Sequence, residues 1–278
     1  MHDLLVLILN LFDLRLLLLS VLIFTPLEFL FPAHRGQKIL RPTLTIDTLH
    51  YLFSGIVMRL GLMGVIVVAL AAGEVVTPDS FSGWAASRPL WLQVLLCTLI
   101  ADLGFYAAHR LMHEVPALWR FHAIHHSSEQ LDWFAAFRVH PVDQVFVKGT
   151  SLLPIFVLGF SMEAIAIASV IYSWQALLIH SNVRLGFGKA KWLVASPEFH
   201  HWHHANEPEA YNKNYAGQLP LWDMLFGTLH MPSRMPEKYG TDDEVPKGYL
   251  QQIAYPFRRP PQQPNESQEL RAPALSPD

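Results

Sequence analysis

The sequence predicts an all-α integral membrane protein: about three transmembrane helices plus a membrane-embedded helical hairpin, with a cytoplasmic, histidine-rich helical cap. Three observations predict it. Hydrophobic residues make up 51% of the 278 and charged residues only 15%, too apolar a balance for a soluble domain of this size. The apolar residues gather in runs long enough to cross a bilayer. The polar remainder collects histidine, with eleven of the fifteen lying between residues 109 and 204.

A helix needs about 20 apolar residues to cross a hydrocarbon core of roughly 30 Å. Residues 4–31, interrupted by Asp13 and Arg15, then 49–72 and 90–108 each meet that length. The first run lacks a basic leader and a small-residue cleavage site, so it reads as a retained anchor. Residues 151–179 are long for one untilted span and short for two, with "LGFSM" near the middle, which favours a shallow hairpin. After residue 181 the chain turns polar and aromatic and reads as a compact cap at the membrane surface. Three regions follow: N-terminal transmembrane helices over 1–108, a histidine-box catalytic region over 109–257 that includes the hairpin, and a disordered tail over 258–278, rich in Pro, Gln and charge.

Loop charges give an orientation. Arg35, Lys38 and Arg41 follow the first run, whereas the linker 73–89 carries Glu74, Asp79 and only Arg88. Cytoplasmic loops are enriched in Lys and Arg, so the third run exits into the cytoplasm at His109. His180 joins that side if 151–179 enters the membrane and returns. A net charge of −3 without a basic block gives no footprint for nucleic acid. The single cysteine, Cys97, allows neither a disulfide framework nor a thiolate site, so any metal is held by nitrogen and oxygen.

Three histidine spacings stand out: His109-x3-His113, His122-x2-His125-His126 and His200-x2-His203-His204. Residues three or four apart share one helix face, so each group is able to point two or three imidazoles at one place. His180, at the end of the hairpin, is a further ligand candidate. This many imidazoles exceed the four-ligand capacity of one tetrahedral zinc, so two metals are implied. Nitrogen-rich sites suit iron, zinc, copper or nickel. Ligating histidines usually donate their second ring hydrogen to an oxygen, and Asp102, Glu114, Glu129, Asp143, Glu198 and Asp223 are near enough in sequence to accept it. His2, His34 and His230 read as structural or solvated, His50 as interfacial, and His201 as a supporting or surface residue. His140 stays open.

On these residues the sequence resembles the fatty acid hydroxylase superfamily of membrane non-haem di-iron enzymes, which includes sterol desaturases and alkylglycerol monooxygenase. The resemblance covers roughly residues 40–257. It rests on the H-x3-H and two H-x2-H-H boxes, on "LWRFHAIHHSSE", on "HSN" at 180–182 and on "NKNYAGQLPLWDMLFGT". An Arg is common in the family at the position of His201, where this chain departs. The resemblance implies that His109, His113, His122, His125, His126, His180, His200, His203 and His204 hold two iron ions, with zinc a substitute in purified protein. O2 would be co-substrate and a lipid the substrate, hydroxylated or desaturated with electrons from an external donor. The alkylglycerol branch, which "HE" at 113–114 resembles most, implies a catalytic role for Glu114 and raises tetrahydrobiopterin as a candidate reductant. The competing readings are a histidine-rich membrane metal transporter or metal-binding protein, which would string ligands along the spans, and a zinc hydrolase, for which no H-E-x-x-H motif is present.

Overall fold

The computed structural model describes residues 13–258. The first part of the expected N-terminal span and the tail from residue 259 onward lie outside the described residues. Among those described, the chain is all-helical, with α1 (Leu14–Leu30), α2 (Leu44–Val76, containing a π-helical turn at His50–Ser54), α3 (Asp79–Ala86), α4 (Leu90–Glu114), α5 (Pro116–His126), α6 (Pro141–Val157), α7 (Met162–His180), α8 (Pro197–His203), α9 (Leu221–Phe226) and α10 (Tyr249–Ala254). Three of these, α2, α4 and α7, are long and apolar enough to cross a membrane. Two coincide with expected spans; the third is the second arm of the hairpin.

That hairpin begins ten residues earlier than the sequence suggests, at Pro141, and its second arm, α7, has the length of a full span. The "LGFSM" stretch is its turn. Gly159 adopts φ +74, and a Cβ there would lie 2.8 Å from Ser82 Cβ, so a larger residue would be strained twice over. Ser161 then caps α7, its Oγ accepting the Ala164 N–H at 3.2 Å. Gln93 fixes the turn from α4 by accepting the Ser161 N–H at 3.0 Å.

Helices pack closely where side chains are small, as expected for spans with little hydrophobic drive to associate. A Cβ on Gly104 would stand 2.7 Å from the Thr150 carbonyl, so α4 and α6 touch backbone to backbone. Ser151 seals the contact, donating to the Ala101 carbonyl at 2.7 Å. Ala69, Cys97, Ile155 and Ile165 form an apolar core between α2, α4, α6 and α7.

A second, polar anchor lies near the histidine end. Arg41 grips both oxygens of Asp132, at 2.5 and 2.7 Å, and Asp47 accepts from both Arg41 and Arg138. All four are buried. Arg41 is therefore a buried ion-pair partner rather than an exposed loop charge, and Arg35 and Lys38 are left as the exposed cations of that linker. His50 is likewise not interfacial: it is buried, bonded to Gln252 Oε1 at 2.8 Å and to Ser54 Oγ at 3.1 Å.

Candidate metal centre

α4 carries His109 and His113 in its last two turns, and α7 ends at His180. α5 begins with Pro116 and α8 with Pro197, each at a first-turn position where a missing N–H costs nothing. Ser196 caps α8 by accepting the Phe199 N–H. These two short helices bring the H-x2-H-H boxes against the ends of the spans.

The structure brings all nine predicted histidines together, in two adjoining groups. His109, His113, His122, His126 and His203 form one; His125, His180, His200 and His204 form the other; within each, the ligand nitrogens lie within 4.8 Å of one another. His109 and His113 stay together in the first group, but the two H-x2-H-H boxes do not each aim at a single place, as their spacing suggests. Each divides: His122 and His126, four apart, serve the first group while His125 serves the second; His200 and His204 serve the second while His203 serves the first. His126 and His204 stack at 4.4 Å between ring centroids where the groups meet.

Hydrogen bonds fix the tautomers of five rings. A carbonyl or carboxylate only accepts, so the Nδ1 facing it carries the proton. His109 donates to the Tyr215 carbonyl (2.7 Å), His122 to Asp143 Oδ2 (2.7 Å), His125 to the Arg138 carbonyl (3.1 Å), His180 to the Ala176 carbonyl (2.7 Å) and His203 to the Lys213 carbonyl (2.8 Å). In each neutral ring Nε2 is left as a bare lone pair. His109 and His122 nevertheless face each other Nε2 to Nε2 at 2.9 Å, and His125 and His180 do so at 3.1 Å. Two lone pairs at that distance repel unless a cation lies between them. Burial opposes protonation of the rings around these contacts: it pushes His125, His126, His200 and His204 well below the ordinary imidazole range and His203 down to about 3. His113 Nε2, His200 Nδ1 and His204 Nδ1 are buried with no hydrogen-bond partner. Such a donor set fits one metal ion in each group.

Of the acids considered from sequence, Asp143 alone bonds a clustered histidine. Asp223 acts one step away, accepting the Tyr215 and Ala216 N–H groups and so holding the carbonyl that orients His109. Asp102 accepts three backbone N–H groups from 217–219. Glu198 pairs with Lys191, and Glu129 is exposed. Glu114 is not brought in with the histidines: its side chain is 43% exposed and accepts from Arg110 Nε at 2.7 Å. His201 is buried with both nitrogens engaged, donating from Nε2 to the Ser181 carbonyl (3.0 Å) and accepting from the Tyr239 hydroxyl (2.7 Å). His140 caps α6 and donates to the Ile253 carbonyl. The orienting carbonyls of Tyr215, Arg138, Lys213 and Ala176 escape sequence reasoning, because every residue carries one.

A cavity of about 410 Å³ reaches His113, His126 and His203 from the cap side, and Trp119, Asn206 and Tyr211 are among the other residues that line it.

Residues 94–228 match the model of the family described as fatty acid hydroxylase. The chain is 37% identical over 177 residues to an ornithine lipid hydroxylase of Rhizobium tropici, a match covering 63% of this chain and 54% of that protein. It is 31% identical over 158 residues to the alkylglycerol monooxygenase of Xenopus tropicalis (56% of this chain, 34% of that protein), and 31% identical over 170 residues to a fatty acid hydroxylase of Lecanicillium (54% and 44%). The chain thus spans about a third to a half of the length of these relatives. No solved structure matches.

Proposed function

Residues 94–228 are a fatty acid hydroxylase domain, and from that premise we propose that the protein is a membrane-bound di-iron oxygenase that hydroxylates a lipid with O2 and external electrons. The observation that carries it is the facing of bare Nε2 atoms in both groups, His109 with His122 and His125 with His180. Bound there, two iron ions would supply the activation of O2 that no side chain can perform. In such a hydroxylation one oxygen atom enters a C–H bond and the other leaves as water, consuming two electrons and two protons from a donor outside the chain.

The chain's own residues do the rest. Asp143 and four backbone carbonyls hold the rings in register, so the ligand geometry is set before substrate arrives. The cavity ending at His113, His126 and His203 is lined by Asn206, Tyr211 and Trp119, a lining suited to a polar head group. The relatives named for ornithine lipids and alkylglycerols both act on lipids by name, and a membrane lipid is the substrate class we assign here. The exposed Arg35 and Lys38 support a cytoplasmic position for the histidines. A transport path would need ligands along the spans, whereas the nine histidines gather at one end.

Elemental analysis and Mössbauer spectroscopy of protein from iron-57-supplemented cells test this reading. About two coupled irons per chain in the wild type, and loss of the coupled signal in His125→Ala, are expected from the two groups. Protein that takes up no iron even after anaerobic loading would overturn it.

A further inference from the structure

Two segments of the cap show apolar side chains that no described residue covers. Leu193 and Leu225 are 70% and 64% exposed, and Trp192, Val194, Met224 and Phe226 are exposed beside them.

Their depth follows from what holds them. Gly217, Gln218 and Leu219 donate backbone N–H groups to Asp102 at 3.0, 2.8 and 2.8 Å. Gln175 donates from Nε2 to the carbonyls of Ala195 (3.2 Å) and Gln218 (3.1 Å), and the Ala195 N–H bonds the Gln218 carbonyl at 2.7 Å. At 1.5 Å per residue, Asp102 lies roughly 18 Å along α4 from Leu90, and Gln175 roughly 20 Å along α7 from Met162. The two helices give the same depth independently. Arg88 and the exposed Trp91 mark the far interface of α4, so both anchors sit about two thirds of the way across a hydrocarbon core of about 30 Å. Phe226 stacks on Tyr106 at 5.1 Å, which keeps the end of α9 against α4 about one helical turn, roughly 6 Å, nearer the histidine end than Asp102.

Irregular backbone at such a depth has no water to bond, and it persists only where protein groups satisfy it. Asp102 and Gln175 are those groups. Lys189 and Lys191 precede the apolar residues on the same loop, with Lys191 Nζ 5.5 Å from the Trp192 ring centroid, an arrangement that fits anionic head groups above and acyl chains below.

We infer that Trp192–Val194 and α9 form a re-entrant element sunk into the acyl region of the leaflet on the histidine side, continuous with the lipid-facing surface of α4 and α7. The cap is embedded rather than resting on the membrane. α8, which carries His200 and His203 and is followed at once by His204, starts three residues after Val194, so the candidate metal centre hangs directly from a lipid-immersed loop.

The test uses the full chain in phosphatidylcholine–phosphatidylglycerol vesicles, with Leu193→Cys, Leu225→Cys and the cap control Glu237→Cys each labelled with a bimane maleimide. Cys97 is buried, and the wild type measures any labelling there. Lipids brominated on the acyl chain are expected to quench the label at 193 and 225 several-fold more than at 237, with the reverse order for aqueous iodide. Labels at 193 and 225 that behave like the one at 237 would overturn the inference, and neither result depends on the protein being an oxygenase.

Discussion

His109 and His122 meet Nε2 to Nε2 at 2.9 Å while the Nδ1 of each donates to an oxygen elsewhere, so two neutral rings meet there lone pair to lone pair. The same arrangement recurs between His125 and His180 in the neighbouring group. Each ring is therefore committed as a lone-pair donor by a partner on its far side, and the strength of that commitment is open to mutation.

Asp143→Asn keeps the size of the His122 partner and removes its charge. Partners of this kind are worth about 10- to 100-fold in metal affinity or activity. The expected result is a metal affinity lower by about tenfold or more, with the fold intact by circular dichroism. Unchanged affinity in a competition assay with a chelator would mean that Asp143 merely fills space.

The buried imidazoles also fix a pH dependence for the metal-free protein. His125, His126, His200 and His204 are held well below the usual range and His201 and His203 near 3, all chiefly by burial. Their unfolded value is about 6.5, so between about pH 6.5 and about pH 3 the unfolded chain binds more protons than the folded one. Stability is full above that window and falls as pH drops through it, by up to about 1.4 kcal/mol per pH unit for each such ring. Denaturant midpoints from about pH 7 to about pH 5 should decline steeply and recover when metal is added. A flat profile in the metal-free protein would contradict the neutral, buried cluster.

Asp47 links stability to the second group. It takes hydrogen bonds from Arg41 and Arg138, and the Arg138 carbonyl orients His125. Removing one partner of a buried ion network typically costs about 3–5 kcal/mol. Asp47→Asn should lower the thermal midpoint sharply and reduce metal content at the group containing His125. A normal melting curve would show that the two guanidiniums find other partners.

Glu114 differs in kind. Its carboxylate pairs with Arg110 across one helical turn at a half-exposed site, and such pairs contribute about 0.3–0.5 kcal/mol. Glu114→Gln is expected to leave metal content and stability where they are. The catalytic role implied by the family resemblance would then show as a fall in turnover with metal fully retained, and loss of metal would instead make Glu114 part of the centre.

The eight boxed histidines stood out in the sequence by their helical spacing and His180 by the return of the hairpin, and the family resemblance joined the nine into one ligand set. The hairpin was legible from length, but its start was not: Pro141 and the His140 cap lie upstream of the apolar run that defined it. The division of each H-x2-H-H box between two groups was hidden, since periodicity describes one helix and the second group exists only where α5, α7 and α8 converge. Asp102 shows the same limit. It stood as a candidate partner of a ligand, yet tertiary folding gives it the backbone of 217–219 instead.

That division makes its own prediction, because neighbours in sequence belong to different groups and residues far apart belong to the same one. His125 and His204 share a group, with ring centroids 4.6 Å apart, whereas His126 belongs to the other. His125→Ala, His204→Ala and the double variant should each lose the metal of one group, the second substitution adding little to the first. His125→Ala combined with His126→Ala, two adjacent substitutions on α5, should lose both metals. Elemental analysis of the four proteins separates the cases: metal content falling in step with the number of histidines removed, whichever group they come from, would mean that the nine rings form one undivided site.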